Sequence, residues 1–256
     1  MPSDTVLYEV KNRKAYITLN RPEAMNALNR ELSERMREVL WEFQTDPDPL
    51  VAIMTGAGGR AFSAGMDLKE RARLDSEADG RPAPPGPPAP EVWKPIIAAI
   101  DGYCVAGGLE RALQCDIRIA TAKSEFGLPE PRWSLTAGYG LHNLSRMIPL
   151  GGALYIQLTG SRINAEEALR YGLIHKVLPD REALMAEADR IADDILLCAP
   201  LAVQAIKRIV MQGRNLPVEY SHKLAEPITD VVASSEDRPE GPRAFAEKRR
   251  PVWKGR

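Results

Sequence analysis

The sequence predicts an α/β fold that continues into a helical C-terminal region, and three observations predict it. Compact apolar runs of strand length, Leu50–Thr55, Ile96–Ile100 and Ile117–Ala120, are separated by segments of helical period. Small-residue turns follow or interrupt these runs at Gly56–Gly59, Ala64–Gly65 and Ala106–Gly108. From about Gly151 onward the pattern is helical almost throughout.

Taken in order, Val6–Val10 and Ala15–Leu19 are β-favouring runs split by Asn12-Arg13, which predicts a hairpin. Asn29 is placed to cap a helix running to about Phe43, with Leu32, Met36, Val39, Leu40 and Phe43 on one face. A short helix is expected from about Gly107 to Gln114, between the strands at 96–100 and 117–120. The stretch 81–91 carries Pro82, Pro84, Pro85, Pro87, Pro88 and Pro90, so neither a helix nor an inner strand is expected there. It reads as a solvated loop or as a mobile flap. Asn164-Ala165-Glu166-Glu167 has the form of a capping box, opening a helix to Tyr171 that Gly172 stops. Helices over Glu182–Leu197 and Pro200–Met211, and two amphipathic segments around 226–234 and 239–247, complete the series.

At 256 residues the chain can bury a substantial core, with 44% hydrophobic and 27% charged residues, as in ordinary globular proteins. A formal net charge of −1 supplies no global field for nucleic acid or an anionic membrane. The basic cluster Lys248, Arg249, Arg250, Lys254 and Arg256 lacks interleaved aromatic platforms and reads as a solvated tail. Cys104, Cys115 and Cys198 form no CxxC pair, and His142, His175 and His222 are scattered, so neither a disulfide framework nor a metal site is expected. Without an apolar run of spanning length or a leader-like segment, a cytoplasmic location is expected.

Two glutamates carry the chemistry. Glu110 closes the run Asp101-Gly102-Tyr103-Cys104-Val105-Ala106-Gly107-Gly108-Leu109-Glu110, and Glu130 closes Phe126-Gly127-Leu128-Pro129-Glu130. A carboxylate pair supplies acid and base, and small-residue turns supply fixed N–H donors for a developing oxyanion. Those are the parts needed to hydrate a double bond beside a carbonyl.

Together with Asn20-Arg21-Pro22-Glu23-Ala24-Met25-Asn26-Ala27-Leu28 and Ala61-Phe62-Ser63-Ala64-Gly65-Met66-Asp67-Leu68, these motifs resemble the crotonase, or enoyl-CoA hydratase/isomerase, superfamily. The likeness extends to Glu247-Lys248-Arg249-Arg250, covering nearly the whole chain. It implies a crotonase-like ββα spiral core over 1–198 and a helical region over 199–256 that builds a homotrimer or a dimer of trimers. It implies an acyl-CoA thioester as substrate, with no further cofactor and no metal. By the same likeness the oxyanion donors are the backbone N–H groups of Met66 and Gly107. Glu130 exchanges the α-carbon proton, and Glu110 orients and deprotonates the water that adds at the β-carbon.

For the CoA and acyl parts the likeness singles out Arg21, Ala24, Ser63, Ala64, Asp67, Leu68, Lys69 and Gly108. Arg21 and Lys69 are expected charge partners for phosphates, and Phe245 and Lys248 are expected near the adenine of a neighbouring subunit. The sequence departs from the family where Pro-Gly-x-Gly-Gly is common: here it reads Ala137-Gly138-Tyr139-Gly140-Leu141. Gly138 is retained where the backbone passes close to the reacting water, and Trp133 and Tyr139 are candidates to line the acyl pocket. Arg111, directly after Glu110, is unusual in an apolar helix. Hydration is the first reading because both glutamates are retained. An isomerase, hydrolase or lyase on the same scaffold is the alternative, and a non-catalytic or RNA-binding relative is the reading from another class.

Overall fold

A computed structural model describes residues 4–77 and 90–256. The chain opens with an antiparallel hairpin, β1 (Val6–Lys11) and β2 (Lys14–Leu19). Its turn residues Asn12 and Arg13 take φ of 52° and 62°, the left-handed pair that a two-residue turn needs to match strand twist. A 3-10 turn (Pro22–Ala24) and helix α1 (Arg30–Thr45) follow. Asn29 Oδ1 caps α1 by accepting from Leu32 N at 2.9 Å, and the buried face is the expected Leu32, Met36, Val39, Leu40 and Phe43.

Three strand pairs come next. β3 (Val51–Gly56) leads to β4 (Ala61–Ser63), β5 (Ile96–Ile100) to β6 (Tyr103–Val105), and β7 (Ile117–Thr121) to β8 (Glu125–Gly127). Helix α2 (Leu68–Glu77) follows the first pair and α3 (Gly107–Leu113) the second. After the third come a 3-10 turn (Glu130–Trp133), α4 (Tyr139–Met147) and α5 (Leu150–Thr159). The chain continues through β9 (Arg162–Asn164), α6 (Ala165–Arg170), β10 (Lys176–Leu178), α7 (Arg181–Leu196), α8 (Pro200–Gly213), α9 (Val218–Ala233) and α10 (Glu240–Ala246).

In each pair the first strand joins a six-stranded sheet, ordered β1-β2-β3-β5-β7-β10, and the second joins a four-stranded sheet, ordered β4-β6-β8-β9. Pairing is parallel except for β1/β2 and β8/β9. Repetition of strand, strand and helix is what winds the core into a spiral.

Burial explains why the long strands read as unbroken apolar runs. Ala52 and Met54 of β3, with Ile96, Ala98 and Ile100 of β5, face the main core shared with α1 and α3. Val51, Ile53, Ile97 and Ala99 face the other way, into a second core closed by Leu184, Ala188 and Ala192 of α7. Both faces are covered, so both parities are apolar.

The capping box at Asn164 is present, with Glu167 N donating to Asn164 Oδ1 at 2.9 Å. The continuous helical pattern expected after Gly151 is corrected: β9 and β10 interrupt it, each completing a sheet edge with three residues. Runs that short carry no readable period. Helix α4 occupies the stretch read as a departure from a glycine-rich loop, and α9 starts at Val218, well before the segment recognised around 226–234. Most of the proline-dense stretch at 81–91 lies outside the described residues. The C-terminal tail returns to the body of the chain, where Trp253 Nε1 donates to Leu197 O at 2.9 Å.

Candidate active site

Four chain segments, around 64–68, 106–110, 129–138 and 28–33, meet at one cavity of about 550 Å³. The first is the loop between β4 and α2. Gly65 takes φ +87°, and a Cβ there would stand 2.5 Å from Ala106 Cβ and 2.9 Å from Gly107 N, so only glycine lets this turn press against the second segment. Leu28 N donates to Gly65 O at 2.7 Å and Asp67 N to Leu28 O at 3.1 Å, forming a one-residue parallel bridge. In a parallel bridge the flanking peptides bond to the partner strand, which turns the Met66 N–H away from Leu28.

The second segment is the entry to α3. Ala106 holds φ 51°, ψ −133°, a conformation that costs a non-glycine residue about 1–3 kcal/mol. It is held there by Ala106 N donating to Gly127 O at 2.9 Å and Glu110 N to Ala106 O at 3.1 Å. That twist leaves Gly107 at the first helical position, where an N–H has no intrahelical acceptor. A Cβ on Gly107 would lie 3.7 Å from Met66 N, so the two amides are neighbours. No acceptor among the described residues takes either N–H. Behind them, Gly108 packs so closely on Ser63 that a Cβ would fall 2.2 Å from the Ser63 carbonyl oxygen.

The carboxylates come from different elements. Glu110 stands in the first turn of α3, and its Oε1 accepts from Gly140 N in α4 at 2.7 Å. The Gly138 backbone passes beside it, where a Cβ would lie 3.5 Å from Oε1. Glu130 opens the 3-10 turn after Pro129, and its Oε2 is buried with no hydrogen-bond partner. Burial raises the Glu130 pKa above its ordinary value; a hydrogen bond from its own backbone N–H partly offsets this, and the neighbouring Glu110 adds a smaller upward push. A cavity with two adjacent free amides, one carboxyl whose protonated form is favoured by burial and a second carboxyl fixed by a backbone amide can polarise a carbonyl and move protons on both sides of it.

Met66, Gly107, Glu110, Glu130, Ala64, Leu68, Trp133 and Gly138, all singled out from the sequence, line this cavity. The other residues singled out from the sequence lie outside this lining. Ser63 and Gly108 are buried behind the loops, where the Ser63 hydroxyl accepts from Gly65 N at 3.2 Å and shapes the turn. Arg21 pairs with Asp67 at 3.0 Å and donates to Ala27 O at 2.7 Å, both through Nη1. Asp67 in turn caps α2, accepting from Glu70 N at 3.2 Å. Tyr139 turns to the main core and lines a separate cavity with Arg111, whose Nη1 donates to Gln114 Oε1 at 2.8 Å. Ala24 ends the 3-10 turn beside Met25, whose carbonyl accepts from Ala64 N at 3.0 Å. Lys69, Phe245 and Lys248 are exposed, and none of them lines the cavity.

Sequence reasoning missed Leu28, Ser33, Ala106, Pro129, Leu135, Thr136 and Ala137 in the lining. Leu28 and Pro129 sit inside or beside the motifs already noted; for Ser33, in the first turn of α1, no sequence signal existed. Among the described residues no cluster of three or more His, Cys, Asp or Glu could hold a metal ion, and no helix is long and apolar enough to cross a membrane.

The sequence pattern of the enoyl-CoA hydratase/isomerase family matches residues 9–256. The chain belongs to that family. Among its relatives is the (E)-benzylidenesuccinyl-CoA hydratase of Thauera aromatica, 44% identical over 98% of this chain and 99% of the relative. The carnitinyl-CoA dehydratase of Escherichia coli is 40% identical over 94% of each chain. Family structures superpose closely. An enoyl-CoA hydratase/isomerase from Mycobacterium paratuberculosis gives a TM-score of 0.90 at 34% identity, covering 99% of both chains. The enoyl-CoA hydratase from Bacillus anthracis gives 0.89 at 32% identity, covering 99% of this chain and 100% of its own. As relatives named for hydration and dehydration indicate, this family member is a lyase of the crotonase type acting on an acyl-CoA.

Proposed function

We propose that the protein adds water across the 2,3 double bond of an enoyl-CoA thioester. The observation that carries this reading is the convergence of Glu110 and Glu130 on one cavity that also holds the unpartnered N–H groups of Met66 and Gly107. The thioester oxygen sits between the two amides, which take up the negative charge as it develops. Glu110, steadied by the Gly140 amide, accepts a proton from water as the water oxygen bonds to the β-carbon. The displaced π electrons form an enolate, which collapses by taking a proton from Glu130 at the α-carbon. Burial suits Glu130 to that role, because it favours the protonated acid the last step needs.

The reverse sequence is a dehydration, so relatives named for either direction fit one mechanism. Their names span benzylidenesuccinyl, carnitinyl and short-chain enoyl groups, and do not fix the acyl chain of this protein. No cofactor is needed beyond the CoA carried by the substrate. The two-part organisation, with 1–198 as catalytic core and 199–256 as assembly region, belongs to the same reading, as do a homotrimer or dimer of trimers and a cytoplasmic location. The test is hydration of crotonyl-CoA, followed by loss of enoyl absorbance, in wild type and in Glu110→Gln. Water addition by wild type that the variant loses supports the reading; double-bond migration or CoA release without hydration overturns it.

A further inference from the structure

Glu130 and Trp133 are the first and last residues of a single 3-10 turn. Side chains three apart in that geometry eclipse, so the indole stands over the same cavity as the carboxylate, and both line it. An acyl chain that offers its α-carbon to Glu130 therefore has the indole on the same wall of the cavity. We propose that the acyl group is an uncharged, aryl-substituted enoyl thioester whose ring lies on Trp133; this rests on the hydratase reading and names its substrate class.

Trp133 is 66% exposed, and Met66, Leu68 and Leu135, lining the same cavity, are 48%, 45% and 44% exposed. Large apolar side chains gathered around a concave surface call for an apolar guest. Against a planar indole, a ring gains stacking beyond the area it buries, which an alkyl chain does not.

Charge narrows the class further. Among the described residues the only charged groups lining the cavity are Glu110 and Glu130; no Lys, Arg or His joins them. An acyl carboxylate would find no counter-ion among these described lining residues and would face two carboxyl groups. A quaternary ammonium would suit the indole face, but its charge would oppose the effect of burial on Glu130 by favouring the ionised form. A neutral ring meets neither penalty.

The experiment measures kcat/KM for cinnamoyl-CoA, crotonyl-CoA, glutaconyl-CoA and crotonobetainyl-CoA with wild type, Trp133→Leu and Trp133→Phe. Wild type is expected to favour cinnamoyl-CoA by about tenfold over the others, Trp133→Leu to remove that preference, and Trp133→Phe to restore most of it. Preference for the alkyl or either charged substrate, or a preference that Trp133→Leu leaves unmoved, overturns the proposal. Calorimetric binding of hydrocinnamoyl-CoA against butyryl-CoA, neither of which can be hydrated, separates the two readings. Tighter hydrocinnamoyl binding without hydration of any enoyl-CoA would retain the aryl class and remove the hydratase. Hydration with no aryl preference in either assay would do the reverse.

Discussion

Burial of the Glu130 carboxyl has a consequence for stability as well as for catalysis. Its folded pKa lies above the ordinary 4.5, so the native state binds the proton more tightly than the unfolded chain does. The stability tied to that proton is fully present below the unfolded value and is lost as pH rises through the raised folded value. Glu130→Gln keeps the shape and removes the titration. Its melting temperature should therefore approach wild type in acid and exceed it progressively as pH rises past 4.5. Thermal melts across that range check this; an advantage that does not grow with pH would contradict it. The same variant should lose about 10²–10⁴-fold in turnover, the usual contribution of a positioned acid–base group. Greater stability with lost activity is the signature of a residue kept for chemistry.

Two glycines separate close packing from mere flexibility at the scale of elements. Gly108 in α3 has the Ser63 carbonyl where a side chain would go, so Gly108→Ala must push apart the two loops that present the Met66 and Gly107 amides. A loss of about 1–3 kcal/mol and a sharp fall in turnover are expected. Gly151 in α5 has open space where a Cβ would stand, with nothing within 4 Å, so Gly151→Ala should stabilise by about 0.4–1 kcal/mol without touching activity. Chemical denaturation of both variants checks the pair, and equal effects would show that the Gly108 contact is not tight. This contrast also marks what was legible in the sequence. Long elements with a buried face, such as α1 and β5, announced themselves by period or by unbroken apolar character. So did the capped start of α6. The short strands β4, β6, β8 and β9 did not, because three residues pairing at a sheet edge impose no pattern of their own. At the site, the glutamates and glycine turns were visible because their chemistry restricts residue type. The commitments of Arg21 to Asp67, and of Tyr139 to the core, were not, since a charge or a ring in sequence does not show its partner.

At the scale of the molecule, apolar surface remains uncovered on α5 of the core and on α8 of the C-terminal region. Leu150, Leu154 and Leu158 are exposed four residues apart on α5, forming one stripe beside Tyr155, and Ile206 and Val210 repeat that spacing on α8. Such stripes suit association between copies. Light scattering is expected to give the mass of three or six chains, and Leu154→Glu with Leu158→Glu should shift it towards one. A wild-type monomer at micromolar concentration would overturn the assembly.

The central claim is that the two carboxyl groups divide the work, Glu110 serving the water and Glu130 the α-carbon. It is tested most directly by comparing, for Glu110→Gln, hydration of an enoyl-CoA with deuterium exchange at the α-carbon of a saturated acyl-CoA in heavy water. The account predicts that hydration falls by about 10²-fold or more while exchange persists, because exchange needs only Glu130 and the amides of Met66 and Gly107. Hydration equal to wild type, or exchange lost together with hydration, would contradict it.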